Sequence, residues 1–527
     1  MRQRFAMLIL FPVLGLATEP SLIDAVKAGD STVVIRLLRT KPPVNAAEGD
    51  GTTALHWAAL KDEVKIAQAL LNAGADPAAK TRDEGLTPFH LAASTGDAAL
   101  VDLFLKAGAD PNVAAANGTT PLMKAAAAGN VDAVRALLAH GAAVNAREQI
   151  HDETSLMFAA AKDRAAVVSF LLAHGADASL TTRVVKLERR RVDEDGNPIA
   201  ETKAAGNNAK RKEYQGGFAR GAAATVMGGL TALHLAARDG NAQAVRALVE
   251  GGANVNEAGA GDKSTPLVIA ICNGHYDVAR YLVEHGADPN LASIDGLAAL
   301  YATEDTEYAQ VGWAPNPITI QEHTIYLELL KILLAHHANP NAKLIKPLWF
   351  RPTSHQEEWV EKRGITPFWR AAMADDVEAM KILLDGGADP AIASDEGVTP
   401  LMVAAGLGWA ANASRVVPDG ALPAVQFLLD DGADVNARDK FNYTALHGAA
   451  YRGENAVVEL LIAHGARLDV RSKRGQTVTD MANGPLVNAH LPIEHPETIA
   501  LLEKHGAPRP ELPSAGAPAA AEAVAAK

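Results

Sequence analysis

Apolar and small residues recur along this chain in a fixed two-part pattern. A T-x-L step leads into Ala-rich residues, and after a polar break an L-L-x-x-G-A-D or -N step follows. The Thr of the first step stands at Thr53, Thr87, Thr120, Thr154, Thr231, Thr265, Thr366, Thr399, Thr444 and Thr477, and Ala298 holds the same place in a weaker copy. Where nothing is inserted, these positions lie 33 or 34 residues apart. In eight copies 21 residues separate the Thr from the Gly of the second step, as in Thr53 to Gly74 and Thr87 to Gly108. A fixed period of that size predicts one supersecondary unit stacked on itself.

The stretch from Glu84 to Asn112 shows what each unit must be. Thr87-Pro88 predicts a helix start, because a hydroxyl takes a free backbone N–H and Pro fits the first turn, where its missing donor is not needed. Phe89, Leu91, Ala92 and Ala93 give a short apolar helix whose small residues let a neighbour approach closely. Gly96-Asp97 ends it, and Leu100 to Lys106 gives a second helix facing inward with Leu103, Phe104 and Leu105. Gly108 stands where a helix ends in a left-handed residue, a conformation that costs Gly little. Two helices this short cannot bury enough apolar area alone, so each unit needs its neighbours.

The segments Thr87-Pro88-Phe89-His90-Leu91-Ala92-Ala93, Thr53-Ala54-Leu55-His56, Thr231-Ala232-Leu233-His234 and Thr444-Ala445-Leu446-His447 resemble the T-P-L-H-x-A-A step of the ankyrin repeat. Gly108-Ala109-Asp110-Pro111-Asn112, Gly286 to Asn290 and Gly432 to Asn436 resemble its G-A-D-x-N step. The resemblance implies an all-α solenoid of about twelve helix-turn-helix repeats, with fingers projecting from one edge. It also implies that the T-x-L-H histidines, His56, His90, His234 and His447, bond within and between repeats. Two departures stand out: His337 and Lys41 occupy the place of the helix-ending Gly, and strain or a different turn is expected at His337.

Four insertions interrupt the period. Gly175 to Thr231 is 56 residues where Gly108 to Thr120 is 12, and His337 to Thr366 is 29. Inside the eighth and tenth units the Thr-to-Gly interval grows to 39 and 33. On the family's geometry, the two inter-repeat insertions extend the finger edge and the other two emerge at the opposite edge. The expected organisation is a signal peptide at 1–17, repeats one to five over 18–177 and a basic flexible insertion at 178–228. Repeats six to twelve follow over 229–507, with insertions near 303–324, 343–363 and 406–422, and a Pro/Ala-rich disordered tail at 508–527. Within the long insertion Arg183 to Val192 alternates like a strand. Ten basic against six acidic residues from Arg183 to Arg220 suit either a docking arm for an acidic partner or anionic surface, or a solvated loop.

Composition narrows the function. The formal charge of −13 argues against general nucleic-acid binding, which rests on basic surface. Arg2 and Arg4 before the apolar run Phe5 to Leu16, with small residues at Gly15 and Ala17, read as an export signal. The run is shorter than the roughly 20 residues that span a bilayer. No membrane contact is expected after cleavage. Cys272 is the one cysteine, so no intramolecular disulfide is possible. Of 17 histidines, His140, His174, His285, His336, His464 and His505 stand near helix-ending positions, where a cation suits the helix dipole. His490 and His495 have no metal-binding motif around them, and no cofactor, metal or catalytic residue is expected.

These observations predict a non-catalytic, monomeric protein-interaction scaffold, periplasmic or secreted. Two alternatives are an accessory factor for an exported, for instance haem, enzyme and a secreted effector acting in a host cell. Scaffold requirements leave residue choice free at finger tips and at the ends of first helices. The partner-binding candidates there are Leu60, Lys61, Arg82, Asp83, Glu84, Ser94, Thr95, Arg238, Asp239, Arg438, Asp439, Lys440, Tyr451 and Arg452. Trp313, Trp349, Phe350 and Trp359 join them, because a loop aromatic left in water gains nothing and so packs its own loop or anchors a partner.

Overall fold

The computed structural model describes residues 20–186, 226–309, 317–348, 360, 362–409, 414, 416–418, 420–484 and 493–511. Among them are twelve consecutive helix pairs, from Leu22–Ala28 and Ser31–Leu38 to Val478–Ala482 and Pro496–Lys504, and one pair of two-residue strands. The expected all-α ankyrin-type solenoid is thus what these residues build. The chain forms two compact units, one of residues up to 159 with 174–176, the other of 160–173 with the residues from 177 onward. Within each unit, first helices pack on the first helices of adjacent repeats and second helices on second helices. No helix among the described residues is long and apolar enough to cross a membrane.

The repeat sequence explains the packing. In the third repeat Phe89 and Phe104 are fully buried and stack at 5.7 Å between the helices Pro88–Thr95 and Ala98–Lys106. The paired alanines (Ala92 and Ala93, Ala125 and Ala126) have no exposed surface, so adjacent first helices approach to methyl contact. The Asn of G-A-D-x-N joins one repeat to the next: Asn112 Nδ2 donates to Gly141 O at 2.9 Å, and its Oδ1 accepts from Ala143 N at 2.8 Å. Asn256, Asn290, Asn341 and Asn436 repeat this two-way bond.

At the two departures the backbone keeps the family geometry and the side chain takes the strain. Lys41 and His337 adopt φ of 56° and 66°, and the His337 carbonyl still accepts from Asn290 Nδ2 at 2.9 Å. The repeat bond outweighs the cost of a side chain in the left-handed region.

Two of the insertions are described in part. Of the stretch expected as a strand from Arg183 to Val192, Val185–Lys186 is one, paired antiparallel with Val226–Met227. Residues 187–225, with the rest of that stretch and most of the basic cluster, lie outside the described residues. Of the 343–363 insertion, Leu344 and Ile345 are bonded in the finger row, to Ile365 O and Asp295 O, and residues 349–359 and 361 lie outside the described residues. Val360 is buried against Gly408, past the end of the tenth repeat's first helix, where a Cβ would come within 2.6 Å of Val360 Cγ2. Burial of an apolar side chain in the space left by a glycine stabilises this contact.

Candidate protein-interaction surface

The fingers are held backbone to backbone. Thr81 N donates to Leu86 O at 2.9 Å to close one finger, and Arg82 N donates to Asp50 O of the preceding finger at 2.8 Å. Ala116 N to Glu84 O at 2.8 Å and Gln149 N to Asn117 O at 2.7 Å continue the row through the first unit. In the second unit Ile294 N to Asp262 O, Lys440 N to Glu396 O and Lys473 N to Phe441 O do the same at 2.6–2.8 Å. A tip fixed this way loses little entropy when a partner binds it.

Beneath the fingers lie the T-x-L-H histidines, each without exposed surface. His90 Nδ1 accepts from Thr87 N at 3.2 Å, and its Nε2 bonds Thr119 O of the next finger at 3.0 Å. His56 and His234 reach Leu86 O and Ser264 O at 3.1 and 3.2 Å. An acceptor at Nδ1 and a donor at Nε2 fix the neutral tautomer. Burial lowers all four pKa values, to about 4 at His234 and His447. The role implied by the family resemblance is therefore visible at His56, His90 and His234, whereas His447 keeps the bond within its repeat, from Thr444 N at 3.2 Å, and its buried Nε2 has no hydrogen-bond partner.

The candidates divide when placed on this frame. Arg82, Asp83 and Glu84 are exposed at a tip. Asp83 and Glu84 border a cavity of about 300 Å³ with Leu86, Asn117, Thr119 and Lys124. Leu60 is 48% exposed, and Lys61 beside it reaches Lys27 O. Ser94 and Thr95 turn their hydroxyls back onto Leu91 O and Ala92 O of their own helix at 2.7 and 2.8 Å. Arg238 and Asp239 are exposed and pair with each other at 2.7 Å. Arg438 and Lys440 are exposed.

Two candidates are not surface groups. Asp439 is buried, and its Oδ1 accepts from Phe441 N and Tyr443 N at 2.9 and 2.7 Å, so it shapes the finger and does not present itself. Burial pushes its carboxyl up to about 6 against those donors. Arg452 is buried with its Nη1 2.9 Å from Asp375 Oδ2, and Tyr451 before it is half-buried. Trp313, Trp349, Phe350 and Trp359 lie outside the described residues. Beside these candidates the fingers also expose Lys473 and Arg474, in the run Arg471-Ser472-Lys473-Arg474, and half-expose Phe441.

A second set of polar groups is buried or half-buried. Tyr308 and Tyr326 both donate to Asp376 Oδ2, at 2.6 and 2.7 Å. Arg370 Nη2 donates to Tyr308 O at 2.6 Å, and its Nε lies 3.2 Å from Asp305. Glu304 is fully buried where other repeats carry Ala93 or Ala126, and neither carboxyl oxygen has a hydrogen-bond partner. Burial raises its pKa well above the ordinary value and favours the neutral acid. These groups tie the eighth repeat to the ninth. Of the two histidines weighed for metal, His495 bonds Tyr451 O at 3.1 Å and His490 lies outside the described residues. Among the described residues no cluster of His, Cys, Asp or Glu is placed to hold a metal ion.

Stacked helix pairs, a hydrogen-bonded row of fingers and buried T-x-L-H histidines define a repeat protein that works by surface contact. Sequence comparison gives the family. The profile described as "Ankyrin repeats (3 copies)" matches residues 22–115, 89–182, 213–293 and 407–491, and the single ankyrin repeat matches 363–395. The chain belongs to the ankyrin-repeat family, whose repeats are protein-interaction modules. Human ankyrin repeat and SOCS box protein 16 is 27% identical over 283 residues, 47% of this chain and 54% of that protein. The probable 26S proteasome regulatory subunit p28 of Saccharomyces cerevisiae is 30% identical over 154 residues, 29% of this chain and 59% of that one. Human ankyrin repeat and KH domain-containing protein 1 is 39% identical over 124 residues, 22% of this chain and 4% of its own length. The chain spans about half the length of the SOCS-box relatives it matches.

Proposed function

We propose that this chain is an exported, monomeric and non-catalytic scaffold that holds a partner protein against its finger tips and the exposed ends of its first helices. The observation that carries this is the finger row of the first unit. Arg82, Asp83 and Glu84 stand exposed on a backbone-locked tip, beside a cavity of about 300 Å³, with Leu60 exposed at the end of a neighbouring first helix. Fixed polar tips around a partly apolar hollow are what a protein partner can grip with little ordering cost. The test is affinity capture from the native cell with the full chain and with Leu60→Asp, Asp83→Lys and Glu84→Lys combined. A partner retained by the parent and lost by the variant at an unchanged melting temperature supports the reading, and equal capture by both moves the binding face elsewhere.

Export rests on the basic start, the short apolar run and the small residues at Gly15 and Ala17. Protein recovered from the periplasm or medium should begin at Thr18. Intact Met1 on that material would overturn the cleavage.

A further inference from the structure

The last two finger tips differ in charge from those of the first unit. In the first unit, fingers 46–52, 79–86, 113–119 and 146–153 carry seven carboxylates and three cations. In the second, the last two fingers, 437–443 and 470–476, carry five cations and one carboxylate, Asp439, which is buried in its own turn. Arg438, Lys473 and Arg474 are exposed there, and among the described residues they form no ion pair. This stands on a chain whose formal charge is −13.

The patch is built to a fixed shape. Lys473 N donates to Phe441 O at 2.8 Å, joining the two fingers. Tyr443 Oη donates to Gln476 Oε1 at 2.6 Å below them. Phe441 is half-exposed between the cations, with Lys440 Nζ 5.6 Å from its ring centre.

The chain also shows what this patch receives. The irregular segment after the last helix lies along the final repeat, with Thr479 Oγ1 donating to Pro508 O at 2.6 Å and Glu511 N donating to Asp480 Oδ1 at 2.7 Å. It delivers the Glu511 carboxylate to Arg471, which holds it with both Nη atoms at 2.8 and 2.6 Å. One cation of the patch therefore already takes a carboxylate from an irregular segment, in the two-pronged geometry that guanidinium favours. Of its neighbours, Lys440 pairs with Glu396 at 3.1 Å, and the cations of Arg438, Lys473 and Arg474 are left for a partner.

We propose that the tips at 437–443 and 470–476 receive an acidic, extended segment of a partner protein. Its carboxylates pair with Arg438, Lys473 and Arg474, and an apolar side chain sets on Phe441. This rests on the reading of the chain as a protein-binding scaffold and adds the chemistry of the partner. Apart from the basic stretch 183–220, the net negative charge of the rest of the chain disfavours an acidic segment elsewhere, so the patch supplies specificity as well as attraction.

The test uses the full chain and a fluorescent peptide of alternating Glu and Leu, with a Lys-Leu peptide as control. The acidic peptide should bind and the basic one should not, and binding should weaken as salt rises. Arg438→Glu, Lys473→Glu and Arg474→Glu together should weaken it about tenfold. The melting curve should not move, because all three side chains are exposed. The reversed tips should now bind the Lys-Leu peptide. Unchanged affinity in the variant, or equal binding of both peptides, overturns the proposal. So does tip-dependent binding of phosphatidylserine vesicles or a single-stranded oligonucleotide where the acidic peptide does not bind. Affinity capture separates the two levels of reading. If the full chain holds no protein above a control, the scaffold falls, and if it holds one equally with reversed tips, only the acidic-partner assignment falls.

Discussion

Arg452 Nη1 lies 2.9 Å from Asp375 Oδ2, and the two residues belong to repeats separated by a whole repeat. Both are buried. The contact exists because the first helix between them, Pro400–Ala404, is cut short and the chain turns aside at Ala405. Glycines make the room: a Cβ on Gly406 would come 2.8 Å from Arg452 Cβ, and one on Gly448 would come 2.6 Å from Leu407 N. Trp409 then sets its ring 5.3 Å from the guanidinium. A repeat stack is ordinarily stabilised by nearest neighbours alone, and this pair ties the ninth repeat to the eleventh.

Arg452→Met should therefore destabilise by about 3 kcal/mol at pH 7, because it leaves Asp375 charged and buried without its partner. Burial pushes that carboxyl up to about 6 even beside the arginine. A raised folded pKa contributes stability at low pH that is lost as pH rises through it. The penalty in the variant should therefore shrink at pH 5, where Asp375 takes up a proton. Denaturant melts at the two pH values, with Asp375→Asn/Arg452→Met as the rescuing double change, check this.

Glu304→Met should stabilise the chain by about 1–3 kcal/mol, since it replaces two unpaired buried oxygens with a flexible apolar side chain of similar size. The gain should grow with pH: the folded chain keeps the Glu304 proton that the unfolded chain releases, so the parent loses stability as pH rises above the ordinary carboxylate range. A gain that does not change between pH 5 and pH 8 would show that Glu304 is not held neutral.

The His234 imidazole should titrate near pH 4 in the folded chain, where burial has lowered it, against about 6.5 unfolded. A depressed histidine binds its proton only in the unfolded state across that window. It therefore subtracts stability as pH falls from 6.5, by about 3 kcal/mol at pH 4. Resonances of the ring followed by NMR measure this directly, and a midpoint near 6.5 would remove His234 from the buried network. His234→Ala should cost about 1–2 kcal/mol through the lost bonds to Thr231 and Ser264, without loss of bound partner below the melting transition.

Replacing residues 187–225 with a two-residue turn should leave the melting temperature within a few degrees of the parent. The ends are already paired, Val185 with Met227 and Lys186 with Val226, and Thr182 Oγ1 accepts from Leu230 N at 3.0 Å. Loop-closure entropy changes slowly with length. Loss of cooperative unfolding on deletion would show that the segment packs on the repeats, and loss of binding alone would make it a docking arm.

The sequence determined the repeat, its count and its internal joints. Those depend on residues a few positions apart: Thr capping its own helix, His three residues on, Gly or its left-handed substitute at the helix end, Asn at the start of the next turn. Such short-range relations recur with the period and need no tertiary information. Only the tertiary structure decided which free-looking positions are surface. Arg452 and Arg438 look alike in the sequence, yet one is buried against a residue 77 positions away and the other stands exposed on a finger. Asp439 reads as a tip charge and is the brace of its turn. Insertions break the period, so where they land follows from burial against distant partners, as Val360 against Gly408 shows, and no local pattern encodes that.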